Sequence, residues 1–262
     1  MCGHGNSYFA KVSVVILMVS YTSGWFTHAR RVKRVIKGIE VEYGTQPRVA
    51  SLRRTNTQQH ICGATILSPE FAITAAHCVH STSEDYFLQL NNYRVTDDIV
   101  PRAIVLEIIT HDLYDRTTRA HDIAILRIML SEIIAWTDSV ILPSPSLIGV
   151  SGECRIYGYG IKDINSSEAT EQLYGGKLKI VSLDQCTNKL GPYVAPKRDG
   201  GMLCAVGDGV DACQGDSGSP LICDGVVQGI CSYGMGCGAN GVPGVYTGIG
   251  AHLQWIRDVT QI

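Results

Sequence analysis

The chain has 262 residues, 45% of them hydrophobic and 18% charged, with a formal net charge of −2. That composition excludes a disordered or fibrous chain, and the near-neutral balance excludes a global basic field that would recruit nucleic acid or an anionic membrane. The length suffices for one large all-β domain or two small ones, with ample chain to bury a core.

In chain order, Lys11 precedes the apolar run 12–19, and small and polar residues follow up to Gly24. This is the order of a secretory signal peptide, and Tyr21, Thr22 and Ser23 end the run too early for a membrane span of ~20 apolar residues. Residues 1–24 are assigned to the signal and 25–34 to a short propeptide ending in Arg30-Arg31-Val32-Lys33-Arg34. Residues 35–262 form one continuous unit with no linker or internal repeat. Export makes a disulfide framework the expected use of the ten cysteines, in a secreted, extracellular protein.

Short β-type runs recur between Gly, Pro, Asn and Asp signals: Cys62–Leu67, Phe87–Leu90, Ile104–Ile109, Ile123–Ile128, Glu153–Tyr157, Lys177–Val181, Gly225–Ser232 and Gly244–Tyr246. Many short strands with turn punctuation predict an all-β barrel or sandwich. One helix is predicted at the C-terminus, where Leu253, Trp255, Ile256 and Val259 form an apolar stripe and Gln254, Arg257 and Asp258 lie off it.

The chemistry concentrates in three segments. In Gly215-Asp216-Ser217-Gly218-Ser219-Pro220, a serine hydroxyl sits in a glycine-flanked turn. Such a hydroxyl is a nucleophile only when a base takes its proton and N–H donors meet the developing oxyanion, and the Gly215 and Ser217 N–H groups are the candidate donors. Thr74-Ala75-Ala76-His77-Cys78 offers the base. His121-Asp122-Ile123-Ala124-Ile125-Leu126 offers a carboxylate at the head of an apolar strand, suited to hold a histidine Nδ1–H and leave Nε2 toward the serine. The order His, Asp, Ser is one of the known triad orders. His60, His80, His111 and His121 lack such context and are assigned structural or surface roles, His121 because a strand neighbour of Asp122 would point to the opposite side.

The motifs TAAHC around His77, HDIAIL around Asp122, GDSGSP around Ser217, SYG at 232–234 and PGVYT at 243–247 resemble the chymotrypsin/trypsin family of serine peptidases over essentially all of 35–262. The resemblance implies two six-stranded antiparallel β-barrels, with His77 and Asp122 from the first, Ser217 from the second, and the site in the cleft between them. It puts Asp211 on the floor of the primary specificity pocket, with Gly234 and Gly244 at the wall positions that must lack side chains. A carboxylate there selects Arg or Lys on the acyl side of the scissile bond. Ala212 stands where some relatives carry a serine that helps bind lysine, so Arg is expected to be favoured over Lys. Ser232, Tyr233 and Gly234 match the strand that pairs with substrate backbone. Arg119, three residues before Asp122, is assigned to the solvated loop rather than to the cleft.

The resemblance also implies a zymogen. A cut after Arg34 would free Val35 to pair with Asp216, although Lys37 departs from the family's usual glycine. Disulfides Cys62–Cys78, Cys154–Cys223, Cys186–Cys204 and Cys213–Cys237 are implied, leaving Cys231 as a buried small hydrophobe once Cys2 departs with the signal. No cofactor or metal is expected: the cysteines are claimed by pairing, and 90–102 lacks the spaced carboxylates of the calcium loop found in some relatives. Asn165-Ser166-Ser167 is a glycosylation sequon. The expected partners are protein or peptide substrates and protein inhibitors of proteases, met by a monomer with no nucleic acid. The competing reading is an inactive homologue serving as a binding module.

Overall fold

The computed structural model describes residues 38–42, 44–46, 48–90, 101–130, 142–143, 153–160, 172–237, 239 and 241–262. After the two-residue strand β1 (Ile39–Glu40) come β2 (Val49–Arg54), β3 (His60–Ile66), β4 (Phe71–Thr74), β5 (Tyr86–Leu90), β6 (Arg102–Thr110) and β7 (Ala124–Leu130). These last six pair antiparallel in the closed order β2-β3-β4-β7-β6-β5. A second antiparallel ring is built from β8 (Cys154–Gly158), β9 (Tyr174–Val181), β10 (Met202–Val206), β11 (Pro220–Cys223), β12 (Val226–Tyr233) and β13 (Gly244–Gly248), in the order β9-β10-β13-β12-β11-β8. Pairing of β8 with β9 closes it, and β1 adds to the outer edge of β9. The all-β class and the two six-stranded barrels are thus as the resemblance implied.

Alternation explains why these segments are strands. Cys154, Ile156 and Gly158 of β8 are buried while Arg155 is exposed, and β9 buries Tyr174, Gly176 and Leu178 around exposed Lys177 and Lys179. In the first barrel Leu52, Ile66, Ile73, Leu88, Leu90, Ile125 and Leu126 are all at 0% exposure. Each such side chain contributes about 1.5–3 kcal/mol by leaving water, which makes closure of the ring, rather than any one strand, the stable unit.

Each predicted β-run overlaps an observed strand, whereas β1, β2, β4, β10 and β11 have no counterpart among them. The short helix α1 (Leu183–Leu190) was also not predicted. Its start is fixed by a capping box, in which Gln185 N–H donates to Ser182 Oγ and Ser182 N–H donates to Gln185 Oε1, both at 3.2 Å. The C-terminal helix α2 spans Ile249–Thr260, beginning four residues before the predicted stripe; Leu253 and Ile256 are buried on it. The four implied disulfides are present, and Cys231 is free and buried. Burial pushes the Cys231 thiol well above its ordinary range, with Asp216, Asp211 and Asp122 adding to the effect, so it persists as a thiol rather than a thiolate.

Candidate active site

His77 sits in a 3-10 turn, Ala76–Cys78, and the Cys62–Cys78 bond ties that turn to β3. Asp122 lies two residues before β7 and is fully buried. Its carboxylate accepts three hydrogen bonds: from His77 Nδ1–H at 2.7 Å, from the His77 main-chain N–H at 2.9 Å, and from Ser232 Oγ–H at 2.5 Å. The Asp122 main-chain carbonyl accepts from Thr247 Oγ1 on β13. A buried carboxylate with these donors fixes the imidazole orientation and its tautomer, leaving Nε2 without the proton. The side chain of Ser232, expected on the substrate strand, therefore serves the aspartate from the end of β12.

Ser217 is brought to this dyad through backbone. Its carbonyl accepts from the N–H of Gly63, the residue after Cys62, at 2.7 Å. Gly218 N–H donates to the Cys231 carbonyl, and a side chain at Gly218 would collide with the Gly63 carbonyl and Thr74 Oγ1. The serine turn thus lies directly on the strand ends that lead into the histidine turn, and glycine is required there (φ +79°).

Gly215 also adopts the left-handed region, at φ +92°. Its carbonyl accepts from His60 Nε2–H at 2.8 Å, while His60 Nδ1 accepts from Ser51 Oγ–H at 2.7 Å and Ser51 Oγ accepts from Arg53 Nε–H at 3.0 Å. Burial lowers the His60 pKa to about 4, so the ring is neutral and the direction of this chain is fixed. The Gly215 carbonyl is thus anchored on β3 of the first barrel. The structural role expected of His60 is a bond to a partner 155 residues away, which no local motif around it signals.

Asp216 is fully buried under Gly158 and Gly160, where any side chain would meet its carboxylate. It accepts from Cys213 N–H at 2.8 Å and Gly160 N–H at 2.9 Å, yet burial still raises its pKa to about 6. The assigned signal 1–24 and propeptide 25–34, Val35 and Lys37, residues 91–100 and the Asn165 sequon lie outside the described residues. Asp211 is 8% exposed, and a Cβ on Gly244 would lie 3.7 Å from its Oδ1. A Cβ on Gly234 would lie 3.8 Å from the Gly244 Cα, so these glycines face each other above the carboxylate. Tyr233 turns its hydroxyl to the Val194 carbonyl at 3.0 Å. Arg119 lies in the loop between β6 and β7, half-buried; it takes φ +59° and donates to Tyr114 Oη at 3.3 Å.

Ser219 departs from the family's glycine, and its hydroxyl occupies the space a side chain at Gly63 would need. That hydroxyl is fully buried and has no hydrogen-bond partner among the described residues. An orphaned polar group of this kind costs about 1–3 kcal/mol, so Ser219→Ala should raise unfolding stability by about 1 kcal/mol in urea titrations. Unchanged or lower stability would mean that the hydroxyl has a partner in solution.

Two closed antiparallel barrels joined at a buried Asp–His pair and a glycine-flanked serine define the two-barrel serine-peptidase class. The trypsin family model, described as Trypsin, matches residues 35–256, and the chain belongs to that family. It is 32% identical over 228 residues to trypsin alpha of Drosophila melanogaster, covering 85% of this chain and 86% of that one. It is 31% identical over 243 residues to ovochymase of Halocynthia roretzi, of whose length the match spans only 15%. Among solved structures, neuropsin, a serine protease of mouse brain, superposes with a TM-score of 0.73 at 30% identity, covering 85% of this chain and 98% of neuropsin.

Proposed function

We propose that this chain is a secreted serine endopeptidase that cleaves after Arg, and more slowly after Lys, once a cut after Arg34 has converted it from a precursor. The observation that carries the reading is the triply donated Asp122 carboxylate holding His77 Nδ1 at 2.7 Å, with the Ser217 turn bonded to the strand beside it. In the reaction Ser217 Oγ attacks the scissile carbonyl while His77 Nε2 takes its proton. Gly215 and Ser217 N–H groups receive the oxyanion. His77 then returns the proton to the leaving amine, and water repeats the sequence on the acyl-enzyme.

Specificity rests on Asp211 beneath the facing glycines 234 and 244. A long cation reaches the buried carboxylate, whereas an apolar side chain would leave it uncompensated. Guanidinium can meet it bidentately; the Ala212 methyl offers no hydroxyl to a compact ammonium, which favours Arg. Residues 1–24 act as the signal and 25–34 as the propeptide, which contains no cysteine to tether it after release. The four disulfides fit the extracellular setting, where the enzyme works as a monomer open to protein inhibitors.

The test is cleavage of matched peptides differing only in Arg or Lys before the scissile bond, using protein activated at Arg34, together with labelling by a fluorophosphonate probe. The expected result is labelling that requires Ser217, with kcat/KM several-fold higher for Arg. Equal or Lys-favouring rates would remove the Arg preference. Absence of labelling after activation would replace the enzyme reading by that of a binding module.

A further inference from the structure

Three imidazoles from separate parts of the chain converge one residue away from Asp122. His111 follows β6, His121 precedes Asp122, and His252 lies in the first turn of α2. Each offers a ring nitrogen, and the three nitrogens lie within 4.8 Å of one another. His121 Nδ1 and His252 Nε2 are 3.0 Å apart, and the His111 ring stacks on His121 with centroids at 4.9 Å and planes 8° apart. His252 is 2% exposed, while His111 and His121 are half-buried, so the cluster has a closed floor and an open side.

The surrounding backbone is shaped to hold these rings. His121 takes φ +52°, a conformation few side chains adopt, and its N–H is tied to the Gly200 carbonyl at 3.0 Å. Gly201 (φ +65°) makes room for His252, since any Cβ there would strike the imidazole. His252 Nδ1–H donates to the Gly248 carbonyl at 2.8 Å, which places the lone pair on Nε2, aimed at His121. A distal nitrogen anchored on a backbone carbonyl is the usual outer support of a metal-ligating histidine. A strand neighbour of Asp122 would point away from it, but β7 begins only at Ala124, and the turn directs the His121 ring toward α2 instead.

The geometry points to a three-histidine site for a borderline divalent transition-metal ion, Zn2+ or Cu2+, formed by His111, His121 and His252, with its fourth position open to water. Tetrahedral Zn–N bonds of about 2.0–2.1 Å separate ligand nitrogens by about 3.3 Å, which lies between the 3.0 Å of the closest pair and the 4.8 Å limit of the cluster. Modest ring rotations therefore close the site, and imidazole suits these ions over Ca2+ or Mg2+. The ion replaces the proton between His121 Nδ1 and His252 Nε2, the His121 proton moving to its own Nε2, so that ring stays neutral. His111 gives up one 3.2 Å hydrogen bond, accepted from Leu113 N–H. Occupancy would join the Asp122 loop to α2.

Trp255 lies against His111 at 4.9 Å between ring centroids and supplies a reporter. Adding Cu2+ to the full chain should quench tryptophan fluorescence saturably, and a 100-fold excess of Zn2+ over its Kd should raise the thermal midpoint by about 5–10 °C. His111→Asn and His121→Asn should each weaken both responses at least tenfold, whereas His77→Ala, which removes the imidazole of the catalytic cleft, should leave them in place. His252→Asn tests the buried ligand directly, and half-exposed His111→Asn keeps the comparison intact if that variant does not fold. Equal metal affinity in wild type and His111→Asn, loss of binding in His77→Ala, or no saturable response to either ion would overturn the site.

Discussion

Replacing Asp122 by Asn should lower kcat/KM toward an Arg peptide by about 10^4 while leaving the chain folded. The magnitude is that of the same exchange in the general Ser-His-Asp template, and the local geometry explains why it should apply. The carboxylate is an acceptor three times over, from His77 Nδ1, His77 N–H and Ser232 Oγ. An amide keeps one acceptor oxygen and turns an NH2 toward another of these donors. If that NH2 faces His77, Nδ1 must become the acceptor, the proton moves to Nε2, and the ring can no longer take the Ser217 proton. Activity should recover partly as pH rises, because the serine then needs less help to ionise. Ser232→Ala removes only one donor and should cost far less, about tenfold. Steady-state kinetics from pH 6 to 10 on both variants check the scheme. An Asp122→Asn enzyme within tenfold of wild type would show that His77 is not oriented by this carboxylate.

What the sequence disclosed and what it hid follow from how far each interaction reaches along the chain. His77, Asp122 and Ser217 each stand in a contiguous motif, so all three are legible as candidates from the sequence alone, and the structure adds the Asp122–His77 hydrogen bond. β2 was not readable: Val49–Leu52 are buried throughout and Arg53 is buried as well, so the polar–apolar alternation that reveals a half-exposed strand is absent. β11 begins at Pro220, which argues against a strand until Pro220 is seen as its first residue, paired with Ile230 of β12 and ahead of the β8 register that starts at Leu221. Helix α1 was too short for periodicity to register, and only its Ser182–Gln185 cap marked it. His60 and the cluster of His111, His121 and His252 depend on partners a barrel away. No spacing rule anticipates such contacts; the positive φ of His121 that redirects its ring is a property of the turn, not of the residue type.

The chain left uncut at Arg34 should become less stable as pH rises from about 4 to about 6, by about 3 kcal/mol, through Asp216 alone. Its folded pKa of about 6 exceeds the ordinary carboxylate value of 3.8 because burial outweighs the Cys213 and Gly160 N–H donors. The folded state therefore binds the proton more tightly than the unfolded one. Below about pH 4 both states are protonated and the penalty vanishes. Through the window up to about 6 the unfolded state ionises first, and the two-unit difference amounts to about 3 kcal/mol at 1.36 kcal/mol per unit. Above about 6 the loss is complete and constant. Cutting after Arg34 reverses the sign in the proposed scheme, because the Val35 α-ammonium would bring a cation to a carboxylate that has none among the described residues, and would draw its pKa below the ordinary value. Urea unfolding of Arg34→Gln between pH 4 and 7 should show the decline. Arg34→Gln with Asp216→Asn should abolish it, since an amide there has nothing to ionise, and the difference between the two isolates Asp216 from every other titrating group. The activated wild type should lack the decline. In the same scheme Arg34→Gln should remain inactive toward Arg peptides, and Asp216→Asn with Arg34 intact should stay at least 10^3-fold below wild type even after the cut, since its oxyanion turn would have no ion pair to order it. Full activity of Arg34→Gln would defeat the activation scheme, while an identical pH profile in the single and double variants would show that Asp216 is not the group that titrates.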